Sequence, residues 1–158
     1  MYSNNFFLDV LKLFKSNVPT FFHASEQILF QNFLSKERIN YYLLFNSNNQ
    51  LVASGGYELE EHPNTIMLTW GMVDASYHKN GYGRSLTEFR LNSISNTFPK
   101  SEVILNTTQK TFRFYEKFGF KLVSIKKDYY GLGLDRYDMI KSKIKNYVGP
   151  AGLEPATP

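Results

Sequence analysis

The stretch His78-Lys79-Asn80-Gly81-Tyr82-Gly83-Arg84-Ser85-Leu86 decides the fold. Upstream of it runs Ile66-Met67-Leu68-Thr69-Trp70-Gly71-Met72-Val73, largely apolar and readable as a buried strand. Downstream, Leu86 to Ile94 carries apolar residues at helical spacing. The order is strand, glycine-rich turn, helix. That order aims successive backbone N–H groups, and the positive end of a helix, at one place. Such a place suits phosphate or pyrophosphate. Taken alone, Gly81 and Gly83 are weak evidence and read more readily as a turn that only starts a helix.

Working back towards the N-terminus, Leu51–Leu59 reads as a strand with Gly55-Gly56 inside it, which suggests a bulge or a close backbone approach. Asn46 to Asn49 is a turn by composition, and Tyr41–Phe45 is an earlier strand. Glu60 to Asn64 turns the chain into the Ile66–Val73 strand. Before the strands, two helices are expected. The first begins at Asn4 or Asn5 and has Phe6, Phe7, Val10, Leu11, Leu13 and Phe14 on its apolar side. The second starts near Thr20 or Ser25 and ends near Leu34, with Leu29, Phe30, Phe33 and Leu34 as its stripe.

Working forward, the helix after Gly83 should run to about Ser95, with Pro99 as a stop. Glu102–Asn106 reads as a strand parallel to Ile66–Val73, because a helix of about ten residues connects them. A helix from about Gln109 to Phe118 ends at Gly119. Phe120–Ile125 and Arg136–Ile140 are strands, and Asp128 to Gly133 reads as a loop. Lys141 to Lys145 reads as a solvated basic face. The expected organisation is one domain over residues 1–145 and a disordered tail over 146–158. Residues 149–158 hold three prolines and two glycines.

Composition narrows the function. The chain has 158 residues, 42% apolar, and a net charge of +4. That excess suits an anionic ligand but is too small and dispersed to argue nucleic-acid binding. The absence of cysteine removes disulfides, thiolate metal sites and cysteine nucleophiles. His23, His62 and His78 are too scattered for a metal site, so none is expected. No run approaches the length of a membrane span, and a cytoplasmic protein is the simplest reading.

Together these features resemble the GCN5-related N-acetyltransferase (GNAT) family. The family's signature is Gln or Arg, two residues, Gly, one residue, then Gly or Ala. Here it reads His78-Lys79-Asn80-Gly81-Tyr82-Gly83, with His78 departing from the pattern. A second signature, an aromatic-tyrosine pair on a helix before Gly-Phe, is matched by Phe114-Tyr115-Glu116-Lys117-Phe118-Gly119-Phe120. The resemblance covers about Asn5 to Lys143. It implies a mixed α/β fold: a mostly antiparallel sheet with a splayed parallel pair and flanking helices. Only Met1 to Asn4 precede the first helix, so the family's first edge strand is expected to be reduced or missing, or else the sequence starts late.

The resemblance also implies acetyl transfer from acetyl-coenzyme A to a primary amine by direct attack. The acceptor would be a small molecule or a peptide, and the protein a monomer or homodimer. Coenzyme A would be held by Met72, Val73, His78, Lys79, Asn80, Gly81, Tyr82, Gly83, Arg84 and Ser85. Thr108, where many members have asparagine, would meet the pantetheine arm. Met72 and Val73 would offer main-chain groups to that arm and to the thioester carbonyl. Tyr115 would protonate the departing thiolate, or else simply pack its helix on the sheet.

For the base, Glu58, Glu60 and Glu61 are the candidates, and Glu58 is taken first. Tyr129 and Tyr130 line the acceptor pocket or cap the sheet. Trp70 reads as core rather than as a stacking platform. The departures at His78 and Thr108 keep a non-catalytic coenzyme A-binding protein as the alternative. A nucleic-acid module has composition alone in its favour.

Overall fold

A computed structural model describes residues 1–37 and 39–143. The stretch 146–158, read above as a disordered tail, lies outside the described residues.

Six strands form one sheet in the order β1-β2-β3-β4-β6-β5. β1 (Asn40–Phe45), β2 (Leu51–Leu59) and β3 (Thr65–Val73) form an antiparallel meander. After β3 comes a 3-10 turn, Ala75–Tyr77, and then α3 (Tyr82–Thr97). β4 (Glu102–Thr107) lies parallel to β3, as the crossover connection requires. α4 (Phe112–Glu116), β5 (Lys121–Gly131) and β6 (Leu134–Lys141) complete the described chain. α1 (Phe7–Ser16) and α2 (Glu26–Leu34) precede the meander.

Each face of the sheet buries its own core. Val10, Leu13 and Phe14 of α1 and Phe30, Phe33 and Leu34 of α2 pack on Tyr41 and Met72. On the other face Ile94 of α3 meets Ile66, Leu68, Val103, Leu105 and Met139, with Phe112 and Tyr115 of α4 against the same cluster. The expected stripe of α2 holds for Phe30, Phe33 and Leu34, but Leu29 is 58% exposed.

Two irregularities shape the site. First, the β3–β4 ladder covers only Thr65–Met67 against Glu102–Ile104. Beyond Met67 the two strands part. Second, the β2–β3 register shifts between Ser54↔Met72 and Gly56↔Thr69. One residue of β2, Gly55, there opposes two of β3, Trp70 and Gly71. Of the two readings of Gly55-Gly56 the close backbone approach holds, since a Cβ at Gly56 would lie 1.9 Å from the Asn40 carbonyl oxygen, while the bulge itself sits across the ladder, in β3, where Trp70 has φ +43°. The buried Tyr41 hydroxyl fixes it by donating to the Trp70 carbonyl at 2.7 Å. A bulge bends and twists its strand, and this one lies beside the point where β3 leaves β4.

Two expectations need correction. α4 is five residues, not ten. Its expected first turn is instead a set of threonine-centred turns. The Thr108 carbonyl accepts from both Thr111 and Phe112, and Thr107 and Thr111 hydroxyls bond each other. Such local side-chain bonds compete with helix. The Asp128–Gly133 loop is mostly strand: β5 continues to Gly131, and Gly133 at φ +80° makes a tight turn into β6. The Asp128 carboxylate accepts from the Gly133 N–H at 2.7 Å and holds that turn. No strand precedes α1 among the described residues. One backbone bond, Tyr2 N–H to the Tyr41 carbonyl at 2.8 Å, is what covers the edge of β1 there.

Candidate active site

Where β3 and β4 part, a cleft of about 1030 Å³ opens. Its walls come from β3, the N-terminus of α3, the β4–α4 turn, α4 and the α1–α2 connection.

Gly81 caps α3 with φ +83°, a conformation that disfavours any side chain, and offers no side-chain bond of its own. Ser85 N–H donates to the Gly81 carbonyl. The N–H groups of Tyr82, Gly83 and Arg84 have no acceptor among the described residues. They are the orphan donors of a helix start, and all three residues line the cleft. The positive end of α3 therefore faces open space with three hydrogens to give.

The flanking side chains divide. Lys79 is exposed and lines the cleft. Arg84 also lines it, but donates through Nε to Glu88 at 2.9 Å. Exposed pairs of this kind hold with well under about 1 kcal/mol, so the guanidinium is free to turn. His78 points inward: its Nε2 donates to the Val73 carbonyl at 2.9 Å, and Phe21 packs edge-on against the ring. Asn80 and Ser85 are not on the wall. The Asn80 amide donates to the His78 carbonyl.

Met72 and Val73 stand on the wall, as the sequence suggests, on the part of β3 that has left β4. The Val73 carbonyl is not vacant. Besides His78 it accepts from Asn17 Nδ2 at 2.9 Å. Asn17 is buried at the end of α1 and also donates to the Leu13 carbonyl, so it locks α1 to the tip of β3. Nothing in the sequence around Asn17 signals this bond, which spans 56 positions.

Across the gap, Thr108 is buried on the wall, its hydroxyl accepting from Lys110 N–H at 3.2 Å. Tyr115 also lines the cleft. Its ring is held edge-on by Phe114 and Phe120, and its hydroxyl has no hydrogen-bond partner among the described residues. The Tyr115 ring thus packs on the core while the residue also lines the cleft.

The far end of the cleft is aromatic and polar. Trp70 packs on Phe22, Phe30 and Phe33 and still reaches the cleft, so it too serves core and wall. Tyr129 and Tyr130 come from β5, and Arg136 of β6 lies 4.9 Å from the Tyr129 ring centre. Arg136 Nε donates to Asp138 at 2.6 Å. The α1–α2 connection closes over this end. It packs so closely on the hairpin that a Cβ at Gly131 would lie 2.3 Å from His23. Lys110 Nζ holds it from the other side, donating to the Thr20 carbonyl at 2.8 Å.

Among the three expected acids, Glu58 lines the mouth and accepts from Lys36 at 3.2 Å, while Glu60 and Glu61 lie off the cleft. The buried acid is Glu26, in the first turn of α2, which no motif in the sequence singles out. It is 7% exposed and lines the cleft. Burial pushes its carboxyl up to about 7, against the opposing pull of the His23 N–H. Tyr130 is raised by burial first and then by the Glu26 charge.

A mixed sheet opened at a parallel pair, with a bare helix N-terminus beside the opening, defines an acyltransferase-type fold. The profile described as "Acetyltransferase (GNAT) domain" matches residues 13–143, and the chain belongs to that family of enzymes. Solved structures agree on the fold. The ribosomal-protein-S18-alanine N-acetyltransferase from Escherichia coli superposes with a TM-score of 0.73 at 18% identity, covering 95% of this chain and 94% of that one. An aminoglycoside 6'-N-acetyltransferase complexed with coenzyme A gives 0.70 at 17%, covering 92% and 94%. Arabidopsis thaliana Naa50, in complex with the bisubstrate analogue CoA-Ac-MVNAL, gives 0.68 at 19%, covering 89% and 95%. No curated protein matches the chain by sequence. No helix among the described residues is long and apolar enough to cross a membrane.

Proposed function

We propose that the chain transfers an acetyl group from acetyl-coenzyme A to a primary amine of a small molecule or peptide, by direct attack. One observation carries this reading. Tyr82, Gly83 and Arg84, whose N–H groups have no acceptor among the described residues, and Tyr115, whose hydroxyl has no partner among them, line the same cleft, at the parting of β3 and β4.

On this reading the N–H groups hold the donor's pyrophosphate, with Lys79 and Arg84 adding charge. Gly81 and Gly83 keep the backbone bare there. The pantetheine arm lies between the parted strands, bordered by Met72, Val73 and Thr108. The amine nitrogen forms a bond to the thioester carbonyl carbon and the C–S bond breaks. Tyr115 gives its proton to the sulfur. Phenols ionise near ~10, so the donor form is present at neutral pH. With no cysteine in the chain, there is no thiol to carry an acyl-enzyme. Glu58 and Lys36 sit at the mouth, where the acceptor enters. His78 is a brace for Val73 in this scheme, not a phosphate ligand.

The test is thiol release from acetyl-coenzyme A against a panel of alkylamines, aminoglycosides and peptides with free N-termini. Wild type should turn over at least one, and Tyr115→Phe should lose most of that turnover while still binding coenzyme A. Binding without transfer to any amine supports the non-catalytic alternative.

A further inference from the structure

We propose that Glu26 is the base that takes the proton from the acceptor's ammonium group, so that the acceptor binds as a cation. This rests on the acetyl-transfer reading and deepens it.

Glu26 opens α2, and its position is fixed from its own backbone. Its Oε2 accepts from the His23 N–H at 2.8 Å. Its Oε1 has no partner among the described residues, on a side chain that lines the cleft. The carboxylate has no ion-pair partner among the described residues. The charged and titratable groups around it are otherwise engaged. The His23 ring bonds Ser25 at 2.7 Å. Arg136 of β6 is spent on Asp138, and Lys36, just after α2, on Glu58 of β2. Tyr130 of β5 is the phenol that feels the Glu26 charge, and it carries no positive charge to pair with it. Oε1 is not among the buried unpartnered atoms, so it is open to the cleft, where an ammonium can reach it and give a charge-assisted hydrogen bond.

Proton balance follows. The ammonium gives one proton to Glu26 Oε1, and the freed lone pair attacks the carbonyl carbon. Tyr115 protonates the leaving sulfur. The second nitrogen proton restores Tyr115 through solvent, and Glu26 releases its proton to solvent. The net products are amide, thiol and one proton. A carboxyl near 7 is matched to this exchange at neutral pH. Glu58, paired and more exposed, is a poorer candidate.

The test is the pH dependence of kcat/KM for an alkylamine acceptor, whose own pKa lies near ~10. Wild type should show an acid limb near pH 7. In E26Q the rate at neutral pH should fall by about 10²-fold or more, and the limb should move to the amine's own pKa. E26D should keep a limb close to neutral at a reduced rate. Coenzyme A binding should be unchanged in both variants. An E26Q profile that overlays wild type overturns the inference and leaves acetyl transfer standing. A wild-type acid limb at the amine's own pKa, instead of near 7, overturns it without any variant. A wild type that binds coenzyme A but acetylates nothing in the panel removes the transfer reading, and with it the inference.

Discussion

The Nε2 of His78 donates to the carbonyl oxygen of Val73 at 2.9 Å, which ties the turn before α3 to the end of the strand it leaves. The same oxygen takes a second bond from Asn17. Three separate segments thus meet on one main-chain atom at the edge of the cleft. His78→Ala should lower unfolding free energy by about 1 kcal/mol in a urea titration. His78→Gln keeps an N–H donor of comparable reach and should recover part of that loss. Equal losses in the two variants would mean that ring packing on Phe21, not the bond, matters here.

The two glycines of the turn should respond in opposite directions. A Cβ at Gly81 meets nothing within 4 Å, so Gly81→Ala suffers only the left-handed backbone, about 1–2 kcal/mol. Gly83 is inside α3, and a Cβ there makes ordinary contacts, 3.5 Å to Val73 and 3.6 Å to Phe114. Gly83→Ala should gain about 0.5–1 kcal/mol from helix propensity. Thermal melts of the two variants check this. A stable Gly81→Ala would show that the turn can take another backbone form.

Glu26 makes stability depend on pH. Its folded pKa lies above its unfolded one, near 7 against 4.5. The folded state therefore binds the proton more tightly. The resulting stability is complete below about pH 4.5 and is lost as pH rises through about 7. The loss is at most ~3 kcal/mol, at about 1.4 kcal/mol per pKa unit. E26Q, which stays neutral, should match wild type near pH 5 and exceed its melting temperature at pH 8. A variant less stable at pH 8 would contradict the burial of this charge.

Arg90 is the other buried charge. It is 1% exposed, its Nε is unpaired, and no carboxylate bonds it among the described residues. Its guanidinium lies over the bare backbone of Gly55 and Gly71 and donates to the Gly56 carbonyl at 3.3 Å. A methionine there should be neutral or stabilising, by about 1 kcal/mol or more, because it removes an uncompensated desolvated charge. A large loss in Arg90→Met would mean that the long Gly56 bond is stronger than its length suggests.

The sequence made most of this fold readable because its punctuation is local. β2 runs from Leu51 to Leu59, between the turns at Asn46–Asn49 and Glu60–Asn64 that bound it, and Gly119 at φ +89° ends the α4 segment. The strand–turn–helix at Gly81 and the aromatic pair at Tyr115 placed the cleft's two walls. The misses are non-local. The bulge belongs to β3 because the Tyr41 hydroxyl holds Trp70, a contact between residues 29 positions apart. α4 is short because Thr107, Thr108 and Thr111 bond among themselves, which apolar periodicity does not register. Glu26 looks like any acid at a helix start. Only the folded α1–α2 connection, lying on the β5–β6 hairpin, makes it a buried one.

The central claim is that the bare start of α3 receives the donor's pyrophosphate beside Tyr115. The most direct test follows backbone amide resonances of Tyr82, Gly83 and Arg84 by 1H–15N NMR during titration with acetyl-coenzyme A. The account predicts that these three amides shift together and saturate. Pantetheine, which lacks the pyrophosphate, should leave them in place. Saturable binding that leaves the three amides unmoved, or no binding at all, would contradict it.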